Sequence, residues 1–280
     1  MIIKGTTKLT GVFGYPVKHS LSPVFQNAGY QYLKLDYIYI PLEVEPKNLE
    51  KAVESLRIFN FIGVNVTIPH KKNIVSFLDE LDEEAKLLGV VNTIHNKNGK
   101  LKGYSTDGKG FIRSLKEDGK FLPENKTVLI LGAGGSSYAI TGALIKEKIK
   151  KIFICNRTEE KSILLKKHLK ENFRFENVEV VKFSERNEKF LWKDIDLVVN
   201  TTSVGMKEGD ICLIEKENLH YGIFVYDIIY NRETELLKMA KELKISCLDG
   251  LSMLIYQGSI SFEIWTGEKA PIEIMKKSIK

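Results

Sequence analysis

The sequence predicts an α/β protein of two domains, on three observations. At 280 residues the chain has room for two compact units. Along most of it, short runs rich in β-branched and aromatic residues alternate with longer runs of helical period. That succession implies sheets that are mostly parallel and covered by helices on both faces. Near the middle an apolar run, Val128-Leu129-Ile130-Leu131, ends in a cluster of glycines that opens a helix, and a second unit starts there.

In the first part, LTGVFGY reads as a strand. Ser22-Pro23 then opens a helix to about Lys34, with Ser22 suited to the N-cap and Pro23 to the first turn. DYIYIPLEV is a strand, and PKNLEKAVESLRIF places Leu49, Val53, Leu56 and Phe59 at helical spacing. FIGVNVTI is a third strand, ended by Pro69, and VVNTIHNKNGKLKGY is a β-hairpin turning at Asn98-Gly99. From Lys126 onward, TVLIL, KIFIC, NVEVVKF, DIDLVVNTT and GIFVYDIIY read as strands. Helices such as SYAITGALIKEK, EEKSILLKKHLK and ETELLKMAKELK separate several of them, the succession of a doubly wound, Rossmann-type domain. From Gly250 the pattern is helical to the end.

Composition excludes several classes. Hydrophobic residues at 43% and charged residues at 28% suit a folded globular chain whose core needs no covalent staples. Cys155, Cys212 and Cys247 are far apart in apolar runs, so small core residues in a reducing, cytoplasmic setting are expected rather than disulfides. His19, His70, His95, His168 and His220 show no metal-ligand spacing, and no metal is expected. The N-terminus lacks an apolar signal region, and no run approaches the roughly 18 apolar residues of a membrane span. The net charge of +6 comes from lysines mixed with glutamates on polar helix faces. A solvated surface is expected rather than nucleic-acid binding, with a mild field suited to anionic ligands.

The glycine turn reads Gly132-Ala133-Gly134-Gly135-Ser136-Ser137. Gly132 allows the tight turn, Gly134 lets the backbone approach a pyrophosphate, and Ser137 is small where the helix must pack close to the strand. Its setting, after a strand and before a helix, is the context that gives such a motif its meaning as a dinucleotide site. At the tip of the next strand, where NAD-binding domains usually carry an acid for the ribose 2′-OH, stand Asn156-Arg157-Thr158, with Lys161 a turn onward. No carboxylate there repels a 2′-phosphate. Arg157 can grip one, Lys161 adds a point charge, and Thr158 can donate a hydroxyl or cap the following helix. NADP is the expected cofactor.

The first unit carries a surplus of polar residues at strand ends: Ser20, Ser22, Asn65, Thr67, Lys71, Asn92 and Asp107. Each has a plain structural reading, Ser22 and Asp107 as helix caps and Asn92 as a bulge. Together they suit the lining of a site for a small polyhydroxylated ligand, at the strand ends where α/β sheets bind ligands.

On these motifs the chain resembles the shikimate dehydrogenase family over essentially its whole length. The matching stretches are His19-Ser20-Leu21-Ser22-Pro23, Asn65 to Lys71, Val91-Asn92-Thr93, Thr106-Asp107, the glycine turn, and Asn156-Arg157-Thr158. They continue, in the family's order, with Asn200 to Met206, Asp227 to Asn231, Asp249 to Leu254, Gln257 and Trp265-Thr266-Gly267. Two positions depart from the family pattern. Phe25-Gln26 stand where Met-His is common, and Asn231-Arg232 replaces a common Asn-Pro.

The resemblance implies that Lys71 and Asp107 form a catalytic pair. It implies that Ser20, Ser22, Asn65, Thr67, Lys71, Asn92, Asp107, Tyr230 and Gln257 hold the substrate. For the cofactor it implies Gly132, Ala133, Gly134, Gly135, Ser136, Asn156, Arg157, Thr158 and Lys161, with Ile228, Gly250 and Met253 at the nicotinamide end and Glu83 nearby. The layout it implies is a discontinuous substrate domain, 1–107 with 250–280, around an NADP-binding domain, 108–249, with the active site in the cleft. The reaction it implies is reversible reduction of 3-dehydroshikimate to shikimate by NADPH, a step toward chorismate and the aromatic amino acids, in a monomer or homodimer. Three alternatives compete: a quinate/shikimate dehydrogenase of dual cofactor use, a folate-linked dehydrogenase of similar architecture, and a non-catalytic NADP-binding sensor.

Overall fold

The structure is a computed structural model that describes residues 2–279. The chain divides into two compact units, one running through Gly110 and resuming at Leu254, the other spanning Phe111–Met253.

The first unit is built from β1 (Lys8–Gly14), α1 (Ser22–Tyr32), β2 (Tyr37–Glu43), α2 (Leu49–Ile58), β3 (Gly63–Val66), β4 (Glu80–Leu81), α3 (Glu83–Leu88), β5 (Thr93–Lys97), β6 (Lys100–Tyr104) and the start of α4 (Asp107–Glu117). Its six strands lie in the order β2-β1-β3-β5-β6-β4. The sheet is mixed rather than mostly parallel: β3 pairs antiparallel with β5, and β5 with β6, while β1 runs parallel to both β2 and β3. The β5–β6 pairing follows from the Asn98-Gly99 hairpin, both of whose residues have positive φ, which reverses the chain without a crossover helix.

Strand alternation sends consecutive residues of β1 to opposite faces. Phe13 joins Leu49, Val53 and Leu56 of α2 and Val64 and Val66 of β3 on one face. Val12 joins Phe25 and Tyr30 of α1 and the C-terminal residues Ile255, Phe262, Trp265 and Met275 on the other. Tyr30 stacks on Phe262 at 5.0 Å between ring centroids, and the Trp265 indole donates to the Ile94 carbonyl at 2.9 Å. Each such fully buried large side chain contributes about 1.5–3 kcal/mol. The C-terminal segment therefore completes the core of the first unit.

The second unit contains β7 (Thr127–Leu131), α5 (Gly135–Lys146), β8 (Lys151–Cys155), α6 (Glu159–Phe173), β9 (Val178–Val181), α7 (Lys189–Trp192), β10 (Leu197–Asn200), β11 (Phe224–Asp227), α8 (Glu235–Glu242) and β12 (Cys247–Leu248). The chain then enters α9 (Leu251–Thr266) and ends with α10 (Ile272–Lys277). The strand order is β12-β11-β10-β7-β8-β9, parallel throughout. The order reverses direction between β7 and β10, the place where doubly wound sheets bind ligands at strand C-termini.

Several local expectations change. Leu21, not Ser22, is the N-cap of α1, with no side-chain cap bond, because Ser22 is already the first helical residue. The stretch after Lys71, to which the sequence reading assigns no element, holds a short 3-10 turn, β4 and α3, the last capped by the Asp82 carboxylate accepting from the Ala85 amide at 2.7 Å. Cys155 is buried, but Cys212 and Cys247 are only half-buried. No helix among the described residues is long and apolar enough to cross a membrane.

Candidate active site

In the first unit four of the polar residues at the strand ends, Asn65, Lys71, Asn92 and Asp107, form one network. β3 is buried along its length, so Asn65 enters the interior and must satisfy its amide there. Its Nδ2 donates toward the Asn92 carbonyl (3.1 Å), Thr93 Oγ1 (3.0 Å) and Ser261 Oγ (2.9 Å), and its Oδ1 accepts from the Tyr39 hydroxyl at 2.8 Å. Just beyond β3 the chain turns through Pro69 and His70, and the carbonyl of Lys71 accepts from the Val91 amide at 2.9 Å. That bond fixes the start of the Lys71 side chain beside the strand that leads to Asn92.

Lys71 Nζ lies 2.6 Å from Asp107 Oδ2, with side-chain exposures of 13% and 7%. Asp107 opens α4, yet its side chain is not used as a cap in the contacts of this cluster: its Oδ1 accepts from Asn92 Nδ2 at 2.8 Å. Asn92 precedes β5, and its backbone amide donates to the Tyr104 carbonyl at 3.0 Å. Its Oδ1 accepts from the Thr106 amide at 2.7 Å, which settles which end of the side chain is the donor. Nδ2 then faces three acceptors within 3.0 Å: Thr106 Oγ1, Asp107 Oδ1 and Gln257 Oε1. Its two hydrogens are shared among them, and the Thr106 hydroxyl in turn donates to the Gln257 carbonyl at 3.1 Å. Such a set of directional donors and acceptors suits a ligand rich in hydroxyls.

The backbone allows this crowding at one glycine. A Cβ on Gly110 would meet the Gln257 amide nitrogen at 2.7 Å, so α4 packs on α9 through a bare backbone just where Gln257 enters the cluster. Ser20 and Ser22 stand at the start of α1, with Ser20 Oγ accepting from the Ser22 amide at 3.3 Å. Ser22 is buried, Ser20 and Thr67 half-buried, and among the described residues no side-chain hydrogen bond joins any of the three to the Asn65–Asn92 network. Glu83 stands apart as well: its side chain is 92% exposed and pairs with Lys86 on α3. Sequence reasoning missed Tyr39, Thr93, Thr106 and Ser261 as members of the cluster. A hydroxyl on a strand or helix otherwise apolar on that face was the available signal.

In the second unit the glycine turn joins β7 to α5. Gly132 has φ +111°, open to glycine, and a Cβ there would meet Thr201 Oγ1 at 2.5 Å. A Cβ on Gly134 would meet nothing within 4 Å, so that side of the turn is open. The first turn of α5 carries no acidic residue, and a helix start without carboxylates suits a diphosphate. At the tip of β8, Asn156 Nδ2 donates to the Thr158 carbonyl at 2.8 Å and shapes the turn. Thr158 is the N-cap of α6 without a side-chain cap bond, so its hydroxyl is not committed to capping. Arg157, Thr158 and Lys161 are exposed, and no ion pair of Arg157 or Lys161 is seen among the described residues. The acids nearest in sequence, Glu159 and Glu160, stand in the first turn of α6, where they complement the helix dipole. These residues fit a phosphorylated dinucleotide.

Further along this unit, Gly250 shows why it must be glycine: a Cβ would lie 2.0 Å from the Ile228 carbonyl oxygen. Tyr230 is half-buried and Met253 buried. Asp227 ties the loops together by accepting from Asn200 Nδ2 (3.0 Å), the Ile229 amide (3.1 Å) and the Thr234 hydroxyl (2.7 Å). Burial pushes its carboxyl above the ordinary range, against the pull of those three hydrogen bonds.

The chain can now be set beside known proteins. A family profile described as "Shikimate dehydrogenase substrate binding domain" matches residues 12–94. One described as "Shikimate / quinate 5-dehydrogenase" matches 118–243, and one described as "Shikimate 5'-dehydrogenase C-terminal domain" matches 250–280. A shikimate dehydrogenase (NADP(+)) from Alkaliphilus metalliredigens is 41% identical over 280 residues, covering 99% of this chain and 98% of that one. Among solved structures, a shikimate dehydrogenase in complex with NADP+ superposes with a TM-score of 0.92 at 38% identity, over 99% of this chain and 96% of that one. A shikimate 5-dehydrogenase from Listeria monocytogenes, in complex with shikimate and NAD, gives 0.88 at 34% identity, over 99% and 98% of the two chains. With the motifs in the family's order and relatives of this identity along its full length, the chain belongs to the shikimate dehydrogenase family.

Proposed function

We propose that the protein is an NADP-dependent shikimate dehydrogenase, interconverting 3-dehydroshikimate and shikimate in aromatic amino acid biosynthesis. The observation that carries the reading is the Lys71–Asp107 pair at 2.6 Å, set among the hydrogen-bonding amides and hydroxyls of Asn92, Thr106 and Gln257. The first unit is the substrate domain and the second holds the cofactor. The names of the full-length relatives support both the activity and the cofactor.

NADPH, when bound, supplies the hydride that reaches the carbonyl carbon of 3-dehydroshikimate. As negative charge grows on the carbonyl oxygen, the Lys71 ammonium meets it and passes a proton to the new hydroxyl. Asp107 holds Lys71 in place through Oδ2 and offers an acceptor to a ring hydroxyl through Oδ1. Asn92, itself oriented by the Thr106 amide, keeps that carboxylate from turning. Gln257 Oε1 and Asn65 Oδ1 accept from further ring hydroxyls, and Ser20, Ser22 and Thr67 take the carboxylate end, with Tyr230 from the second unit as a further ligand. Gly132 to Ser136 hold the diphosphate, Asn156, Arg157, Thr158 and Lys161 the adenosine phosphate, and Ile228, Gly250 and Met253 the nicotinamide end. Glu83 is retained as a cofactor neighbour on the family resemblance alone.

Substrate choice tests the reading. Quinate adds a hydroxyl at the ring carbon bearing the carboxylate, and a site shaped for the planar, unsaturated carbon of shikimate would crowd it. Shikimate should therefore show the higher kcat/KM with NADP+. Comparable values for the two acids would move the assignment to a quinate/shikimate dehydrogenase, and no turnover of either would overturn it.

A further inference from the structure

The glycine turn of the second unit is held by a chain of hydrogen bonds whose direction can be deduced. The Gly134 amide lies 3.0 Å from Ser137 Oγ, Ser137 Oγ lies 2.7 Å from Thr201 Oγ1, and Thr201 Oγ1 lies 2.7 Å from the Leu131 carbonyl. Ser137, Leu131 and Thr201 are at or near full burial, at 0%, 1% and 8% exposure, and Gly134 lies at the exposed end of the chain of bonds. The Leu131 carbonyl accepts from both the Thr201 amide, at 2.8 Å, and the Thr201 hydroxyl, which places the single Thr201 hydroxyl proton on it. The Ser137 hydroxyl must then donate to Thr201, and its oxygen is left to accept from Gly134. Reversing the Thr201 hydroxyl would take from the buried Ser137 proton its acceptor in this chain, which costs more than the bond itself is worth.

This relay ties three separate segments: the last residue of β7, the turn with the start of α5, and the residue after β10. It also turns the Gly134 amide inward, away from the open side of the turn where the absent Cβ would meet nothing. Gly132, whose absent Cβ would lie 2.5 Å from Thr201 Oγ1, seats against the same hydroxyl. We infer that Thr201 and Ser137 are positioning residues for cofactor binding, which hold the glycine turn in its diphosphate-binding shape through this one-way relay. The inference rests on the NADP reading above. It concerns the diphosphate half of the cofactor and leaves the adenosine 2′-phosphate half, at the tip of β8, untouched.

Two ligands separate those halves. NADP+ needs both, whereas adenosine 2′-monophosphate, which has no diphosphate, needs only the clamp at Arg157, Thr158 and Lys161. Binding of each is titrated calorimetrically to the wild type and to Thr201→Val, Thr201→Ser and Ser137→Ala. Thr201→Val and Ser137→Ala should each weaken NADP+ by roughly fivefold or more, the factor that a lost buried hydrogen bond represents. Adenosine 2′-monophosphate should stay within about twofold in both, and Thr201→Ser should restore NADP+ binding. The double variant should be no worse than the more damaged single, as for groups acting as one unit. Ser137→Ala, which removes one buried oxygen, carries the test should Thr201→Val not fold. Unchanged NADP+ affinity in the variants, or equal weakening of both ligands, overturns the inference while leaving the assigned function standing. A wild type that binds adenosine 2′-monophosphate or NADP+ not at all overturns the cofactor reading, and the inference with it.

Discussion

Replacing Lys71 by methionine keeps the aliphatic stem and removes only the ammonium, so it isolates the charge. In the wild type the ammonium sits 2.6 Å from Asp107 Oδ2, at 13% and 7% side-chain exposure. At that separation, and at an effective dielectric of about 20, the attraction between unit charges is about 6 kcal/mol before desolvation is subtracted. Losing one partner of a buried pair costs about 3–5 kcal/mol, because the remaining charge stays buried. Here Asn92 Nδ2 still donates to Asp107 Oδ1, which points to the lower end, about 3 kcal/mol. For a chain of this size that corresponds to a fall in Tm of roughly 6–12 °C. The catalytic effect is separate. If the ammonium meets charge that exists only in the transition state, kcat should fall by roughly a hundredfold or more while the KM for shikimate changes little. Steady-state kinetics on folded protein, with unfolding curves run in parallel, gives both numbers. A folded Lys71→Met enzyme with kcat within about twofold of wild type would refute the reasoning, since that is what an exposed surface lysine would give.

Three further outcomes are expected. Arg157→Ala should weaken NADP+ by roughly ten- to a hundredfold, the worth of a charge-assisted hydrogen bond, and leave NAD+ nearly unchanged; equal losses would mean that Arg157 does not touch the 2′-phosphate. Gly250→Ala should cost about 1–3 kcal/mol in denaturant unfolding, since its methyl would press on the Ile228 backbone carbonyl, which cannot swing aside; no loss would show that the backbone there yields. Asp227 sets a pH dependence. Burial raises its folded-state pKa above the ordinary 3.8, so its contribution to stability is fully present below that value and is lost as pH rises through the folded one. The unfolding free energy of the wild type minus that of Asp227→Asn should therefore decline from about pH 4 upward, and a difference that grew with pH would contradict this assignment.

How much could be read in advance depended on whether a residue type has one use or several. The Asn98-Gly99 turn, the apolar run into Gly132, and the helical spacing of Leu49, Val53 and Leu56 each have a narrow physical meaning, and the structure realises them. The mixed character of the first sheet was implicit in that same hairpin, yet the strand–helix alternation around it suggested parallel pairing. Serines were ambiguous: Ser22 has the sequence of a cap, but the helix starts one residue earlier than a Ser22 cap allows. The segment around β4 and α3 is short and strongly charged, so neither period nor apolar run marked it, although Asp82 and Gly89 are an ordinary cap and stop. In the candidate site, Lys71, Asn92 and Asp107 were singled out as polar residues at strand ends and Gln257 by the family resemblance, and the structure brings those four together. Tyr39, Thr93, Thr106 and Ser261 were not singled out. Tyrosine and threonine are ordinary strand formers, and a helical serine is ordinary too, so only the three-dimensional contacts give their hydroxyls meaning.

The central claim is that this chain oxidises shikimate with NADP+ through a 2′-phosphate clamp at the tip of β8. The ratio of kcat/KM for NADP+ to that for NAD+, at saturating shikimate with the wild-type protein, tests it most directly. A ratio well above one, tenfold or more for a single charge-assisted contact, is the predicted result. A ratio of one or less would contradict it.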